Sequence, residues 1–183
     1  NRQLELGCNT TLGFSNRWDV GSSTAANNGF VGGGHNLTFL GTGTLAQASL
    51  NFLGETDLGD INVNLGTDVA TNILFIQGDT TLGRADKTLT VSGGSAIQFF
   101  TNVTNTSYDK KLSLDNGLIN FNRASTTFSL PGTISLTNAN TFTSNISSTT
   151  VIANNVISGN GSLTKAGPGI LTLSGVNTYS GIT

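Results

Sequence analysis

The 183-residue sequence predicts an all-β solenoid, and two repeating series of residues predict it. Phenylalanine returns at Phe30, Phe52, Phe75, Phe99, Phe121 and Phe142, and Leu163 continues the series, with gaps of 22, 23, 24, 22, 21 and 21 residues. A period of this size marks an array in which each repeat is one supersecondary unit that buries its apolar face against its neighbours. A second series runs through the segments that begin at Leu12, Leu37, Val63, Leu89, Leu112, Ile134 and Val156, with gaps of 25, 26, 26, 23, 22 and 22. Two faces that advance together describe rungs of about 21 to 26 residues, stacked along one axis. Phe14, Phe39, Phe100 and Phe128 fall outside the first series, so the agreement of the two series carries the reading.

The segments justify themselves as strands in order along the chain. Leu37-Thr-Phe-Leu-Gly, Leu89-Thr-Val-Ser-Gly, Leu112-Ser-Leu-Asp-Asn-Gly and Ile134-Ser-Leu-Thr alternate apolar and polar residues, the period-2 signature of a strand with one buried face. Gly, Asn or Asp follows most of them, and these residues accept the positive φ of the corners where a coil turns. In parallel coils the same position of successive rungs stacks about 4.8 Å apart. The phenylalanine series is therefore expected to form one internal ladder, with Asn51, Asn120, Asn122 and Asn140 beside it as stacked amides. Helix is disfavoured, because Thr, Asn, Ser and Gly dominate and no window of a dozen residues keeps a 3.6 period. With 36% hydrophobic residues and two prolines the composition is that of an ordered chain, read as a single domain over residues 1–183.

Charge is scarce, at 10% of residues and a formal net of −2. Sequence-independent nucleic-acid binding needs Lys and Arg to neutralise phosphates, and no basic stripe is present, so nucleic acid is excluded as a partner. No run of 18 apolar residues is long enough to span a bilayer. The one charged cluster comprises Asp79, Arg84, Asp86 and Lys87 with Asp109, Lys110 and Lys111, read as solvated, mutually paired turn residues. The chain starts at Asn1 and has no methionine, which points to a processed product or a piece of a larger exported protein. Cys8 is the sole cysteine and makes no internal bridge; it is read as a buried or incidental thiol.

Residues that carry chemistry are few. His35 is the only histidine, in Gly32-Gly-Gly-His-Asn36, and a metal site or a nucleophilic triad would rest on it alone. It is expected in a surface loop. Asp57, Asp60, Asp79 and Asp86 are the candidates for a carbohydrate or calcium patch, but nothing nearby suggests an apolar cleft to hold one carboxyl protonated. No catalytic residue, cofactor or metal site is expected.

The final segment is the most specific. Gly161, Leu163, Lys165, Gly167, Gly169, Leu171, Leu173, Gly175, Asn177, Tyr179, Gly181 and Thr183 fit the pattern G-x-L-x-K-x-G-x-G-x-L-x-L-x-G-x-N-x-Y-x-G-x-T. The segment 159–183 thus resembles the autotransporter-associated β-strand repeat, also called the passenger-associated transport repeat. The resemblance implies a right-handed parallel β-helix in a large protein exported to the bacterial surface, commonly beside a C-terminal β-barrel translocator. An extracellular structural or adhesive role follows from it. The other reading is a β-helix that binds or cleaves polysaccharide through acidic residues on one face. Regular apolar alternation at Ile170 to Leu173, with only Arg2 and Glu5 as a charged guard at the other end, leads to a further expectation. The ends are expected to join more coils of the same polypeptide or other copies stacked head to tail.

Overall fold

A computed structural model describes residues 3–14, 18–20, 29–41, 49–52, 55–66, 73–77, 80–100 and 105–183, with backbone alone for residues 14, 49–52 and 55–56. After β1 (Leu4–Glu5), the chain winds in coils. The first holds β2 (Thr10–Phe14), β3 (Trp18–Val20) and β4 (Phe30–Val31), and the second β5 (Leu37–Gly41), β6 (Ser49–Phe52) and β7 (Glu55–Thr56). Two coils follow with β8 (Ile61–Asn64) and β9 (Ile73–Ile76), then β10 (Thr88–Ser92) and β11 (Ala96–Phe99). The remaining coils are β12 (Lys111–Asp115), β13 (Leu118–Phe121) and β14 (Thr127–Leu130); β15 (Ile134–Thr137), β16 (Ala139–Thr143) and β17 (Thr150–Ala153); and β18 (Ile157–Gly159), β19 (Ser162–Ala166) and β20 (Ile170–Leu173).

Every strand pairing is parallel, and equivalent strands of successive coils are neighbours. Two faces are seven-stranded sheets, ordered β2-β5-β8-β10-β12-β15-β18 and β3-β6-β9-β11-β13-β16-β19. The third face is split into β1-β4-β7 and β14-β17-β20, and among the described residues an isolated parallel bridge joins Ser107 to Ser129 of β14. This is the β-solenoid that the periodicity predicts, with about six turns and no helix among the described residues. No helix is long and apolar enough to cross a membrane among those residues.

Alternation fixes which side chains enter the core. On the first face, Leu37, Ile61, Leu89, Leu112, Ile134 and Ile157 stand in one register column, and Phe39, Val63, Val91, Leu114 and Leu136 in the next. All eleven are buried. The second face contributes Leu74, Ile97, Ile119 and Phe142 in one column and Ile76, Phe99 and Phe121 in another. The third face adds Phe128, Val151, Leu130 and Ala153, so the three walls close on one elongated apolar core.

The single phenylalanine ladder is corrected by this register. Phe99 and Phe121 do stack, with centroids 5.3 Å apart and planes inclined by 13°. The place that the series gives to Phe75 is taken by Ile76, which pairs with Phe52 on one side and Phe99 on the other. Phe52 and Phe75 are 23 residues apart where the register needs 24, and a one-residue difference turns a strand side chain to the opposite face. Phe75 is accordingly only half-buried, and it meets Phe100 edge-on at 5.4 Å. Phe142 falls two residues short, which keeps it inside but moves it opposite Ile119. It still reaches Phe121 at 5.7 Å, edge-on. Phe30 belongs to the third face, packed against Phe39, and Leu163 stands opposite Asn140. Turn lengths differ between coils, so an even spacing in sequence does not make an even register.

Candidate functional site

The terminal repeat is built as the last turn of the coil, and its motif residues hold that turn to the one before. Leu163 is fully buried, and Leu171, Leu173 and Tyr179 pack against the core from partly buried positions. Along β20, Leu171 pairs with Val151 and Leu173 with Ala153. After β20 the chain crosses back over the edge of β18: Thr178 N donates to Ile157 O at 2.8 Å, and Ser180 N donates to Gly159 O at 3.0 Å. Asn177 Oδ1 accepts from Ile157 N at 3.0 Å. Leu163 N donates to Ile182 O at 3.0 Å, and the Tyr179 hydroxyl is hydrogen-bonded to that of Thr183. Lys165 Nζ curls over the turn to donate to Ala166 O and Gly167 O at 2.7 and 2.8 Å.

The motif glycines follow from close approach between coils. A Cβ on Gly161, Gly175 or Gly181 would lie 2.5, 2.0 and 2.2 Å from backbone oxygens of Asn138, Asn155 and Gly161. Gly167 combines such an approach, 2.1 Å from Ser144 O, with a φ of +73°. These glycines let the last turn approach the coil before it.

The acidic candidates among the described residues, Asp57, Asp60 and Asp86, serve separate contacts. Asp57 makes a two-point pair with Arg84, from Nε to Oδ1 at 2.5 Å and from Nη2 to Oδ2 at 3.0 Å. That hydrogen bond first, and the guanidinium charge after it, hold the Asp57 carboxyl below the usual aspartate range and raise Arg84. Asp60 serves a different purpose. Asn9 Oδ1 accepts from Asn36 N, Asn36 Oδ1 from Asp60 N, and Asp60 Oδ1 from Thr88 N, at 2.9, 2.8 and 2.8 Å. The residues before β2, β5 and β8 thus each hang the next coil from a side chain. Asp86 lies 3.8 Å from Lys87, and Asp79 lies outside the described residues. No group of three His, Cys, Asp or Glu could hold a metal among the described residues.

His35 occupies a tight turn, where its N donates to Gly32 O at 2.9 Å and its carbonyl accepts from Gly59 N at 2.8 Å. Cys8 is exposed rather than buried. Of the expected amide ladder, Asn120 Nδ2 donates to Gln98 Oε1 at 3.3 Å, whereas Asn140 is a buried corner residue whose Oδ1 accepts from Gly117 N at 3.0 Å. The side chain of Asn51 lies outside the described residues.

Two features escape a reading of the residues alone. The corner chain of Asn9, Asn36 and Asp60 had a partial signal, since Asn36 directly precedes the Leu37 segment of the second series, whereas Asn9 and Asp60 precede strands that begin two residues before the Leu12 and Val63 segments. Lys110 had none: it sits in a charged run, yet it is buried to 1% exposure, with Nζ donating to Gly59 O at 2.8 Å and Arg84 O at 3.1 Å. The solvated reading fails for this lysine because the turn on the third side swings it inward across two coils.

Fold and site together define a parallel β-solenoid whose terminal turn carries a motif that ties it to the preceding coil. Residues 163–183 match the family model of the passenger-associated-transport-repeat. The repeat and the solenoid together fit an autotransporter passenger. No curated protein matches, and no solved structure matches.

Proposed function

We propose that this chain is a non-enzymatic element of an extracellular, surface-displayed bacterial passenger, with a structural or adhesive role. The single observation that supports this most is the terminal repeat seated in register on the solenoid, with its side chains engaged in holding coils together. The rest of the surface favours the same reading. The first face presents Thr11, Thr38, Asn62, Thr90, Ser113, Ser135 and Ser158 in one outward column, a neutral wall. Of the carboxylates considered for polysaccharide cleavage, Asp57 is occupied by Arg84 and Asp60 by the corner chain.

The strand edges at either end of the stack are the places for association. β20 is paired on one side only, and Ile170, Val176 and Ile182 are exposed around it. At the other end Trp18 is exposed beside a cleft of about 140 Å³ lined by Gln3, Leu4, Asp19 and Val20. In this reading the edges meet further parallel strands, from more coils of the same polypeptide or from another copy stacked head to tail into a filament.

The test of display is protease shaving of intact cells of the native host with antibody detection of this segment. Signal on whole cells that disappears on shaving is expected; signal only after lysis would exclude surface display. Incubation with polysaccharides and an assay for new chain ends tests the other reading. New ends released by the chain, and abolished by Asp86→Asn, would replace the scaffold reading with an enzymatic one.

A further inference from the structure

The third face is interrupted where the solenoid departs most from its own rules. Between β7 and β14 that side carries the segments at 80–87 and 105–110 in place of paired strands. Leu82 there is a buried, bulky residue held at φ 59°, with its N donating to Thr80 Oγ1 at 2.9 Å. A leucine in the left-handed region is an outlier that persists only when its surroundings enforce it, and such strain collects at binding sites. Gly83 follows at φ 85°, and a Cβ on it would lie 2.9 Å from Lys110 Nζ. The same Cβ would lie 2.6 Å from Leu58 O, so the loop packs on the Leu58 backbone and on the buried Lys110 ammonium, which is anchored on two carbonyls.

These segments enclose a recess of about 230 Å³, lined among the described residues by Thr81, Gly83, Ala85, Ser107, Asp109 and Lys110. Lys110 closes the inner side, while Ser107 and Asp109 stand at the exposed side, with Ser107 Oγ 3.4 Å from Asp109 Oδ1. Tyr108 between them is buried, and its hydroxyl donates to Asn105 O at 2.9 Å. Asn105 Nδ2 in turn donates to Thr80 O at 2.7 Å. That chain of bonds ties the two segments together and fixes the recess before any ligand arrives.

We propose that this recess binds one neutral sugar unit of a glycan, read by the Asp109 carboxylate and the Ser107 hydroxyl, with Thr81, whose hydroxyl donates to Gly83 O at 3.3 Å, in the wall. The chemistry selects the ligand class. A carboxylate has two oxygens that accept from adjacent hydroxyls, and the Ser107 hydroxyl beside it both donates and accepts, the pattern a diol needs. A metal cation is disfavoured by the Lys110 ammonium at the inner wall, and a free anion by Asp109 at the mouth. The volume lies below the range of sites for drug-sized molecules, which fits one ring and not an enclosed oligomer. The proposal goes beyond surface display and stands apart from it, because binding is read on the isolated chain and its failure leaves display untouched.

The test is amide-resolved NMR of the 183-residue chain titrated with the methyl glycosides of glucose, galactose, mannose and N-acetylglucosamine, each in turn. At least one is expected to shift the amides of Thr81, Gly83, Ser107 and Asp109 while the amides of β15 to β20 stay in place. Asp109→Asn and Ser107→Ala, both at exposed positions, should each weaken that binding by about tenfold with the remaining spectrum unchanged. Asp86→Asn should leave it as it was. No shift with any of the four glycosides, shifts that persist in Asp109→Asn, or shifts produced at the same amides by calcium chloride alone would each overturn the proposal.

Discussion

At the scale of single residues, what decides energetic weight is the face of the strand on which a side chain falls. Phe99 is 3% exposed and meets Tyr108, Phe121 and Phe128 at centroid distances of 4.7, 5.3 and 5.4 Å. Phe99→Ala should lower unfolding free energy by about 3 to 5 kcal/mol, the transfer cost plus the cavity left behind. Phe75→Ala removes an outward, half-buried ring and should cost about 1 kcal/mol, since little of its area is sealed from water. Urea unfolding of the two variants separates them; equal losses would place Phe75 in the core after all. The Asp57–Arg84 pair sets a dependence on pH. Its folded carboxyl lies below the ordinary value of 3.8, so the stabilisation is present above 3.8 and lost as pH falls through the lower folded value. Both partners are exposed, so the effect is small and weakened by salt. Arg84→Gln should therefore show its deficit at neutral pH and converge with the unaltered chain in acid. A deficit that stays constant down to full protonation would mean that the guanidinium acts through packing alone.

At the scale of elements, regularity is carried by corners as much as by strands. Asn36 receives Asp60 N and donates its own N to Asn9, so one residue links three coils. Replacing it by Ala leaves Asp60 N without its acceptor, and a loss of about 1 to 2 kcal/mol is expected. Asn36→Asp, which keeps the acceptor, should recover most of it. Thermal unfolding of both variants checks this, and equal losses would show that the bond contributes nothing. In the terminal repeat, Gly175→Ala forces a methyl to within 2.0 Å of Asn155 O and should cost about 1 to 3 kcal/mol, with loosening of amide protection confined to β18 to β20. The strands, their faces and the terminal motif were legible in the sequence because period-2 alternation and fixed motif spacing are local. Register was not, because it depends on how many residues each turn absorbs. The step from Leu37 to Ile61 is 24 residues, and that from Ile61 to Leu89 is 28. The third side of the coil that absorbs those four extra residues carries the strained loop at Leu82 beside buried Lys110 and the recess. Nothing in the charged run at Asp109 to Lys111 announces which of its members turns inward.

At the scale of the whole molecule, a stack of parallel coils has two unlike ends. Each strand on an open edge presents N–H and C=O groups to whatever parallel strand arrives. The upper edge at β20 has exposed Ile170, with Val176 and Ile182 on the segment that follows. The lower edge has Trp18 beside its small cleft. An interface between unlike ends is heterologous, and it propagates into open fibres unless its rotation closes a ring. Scarce charge, with a net of −2 over the chain, provides little repulsion against that growth. The isolated 183-residue chain is expected to show a sedimentation coefficient that rises with concentration, and thin fibres about one coil across by electron microscopy. Ile170→Lys places a charge on the edge strand, the device by which natural sheets resist such pairing, and should abolish the rise. The position is outward-facing and 56% exposed, so the fold should tolerate the change. A chain that stays monomeric at high concentration, or a lysine variant that assembles as readily as the unaltered one, would remove copy-to-copy stacking. The open edge would then be left to further coils of the same polypeptide.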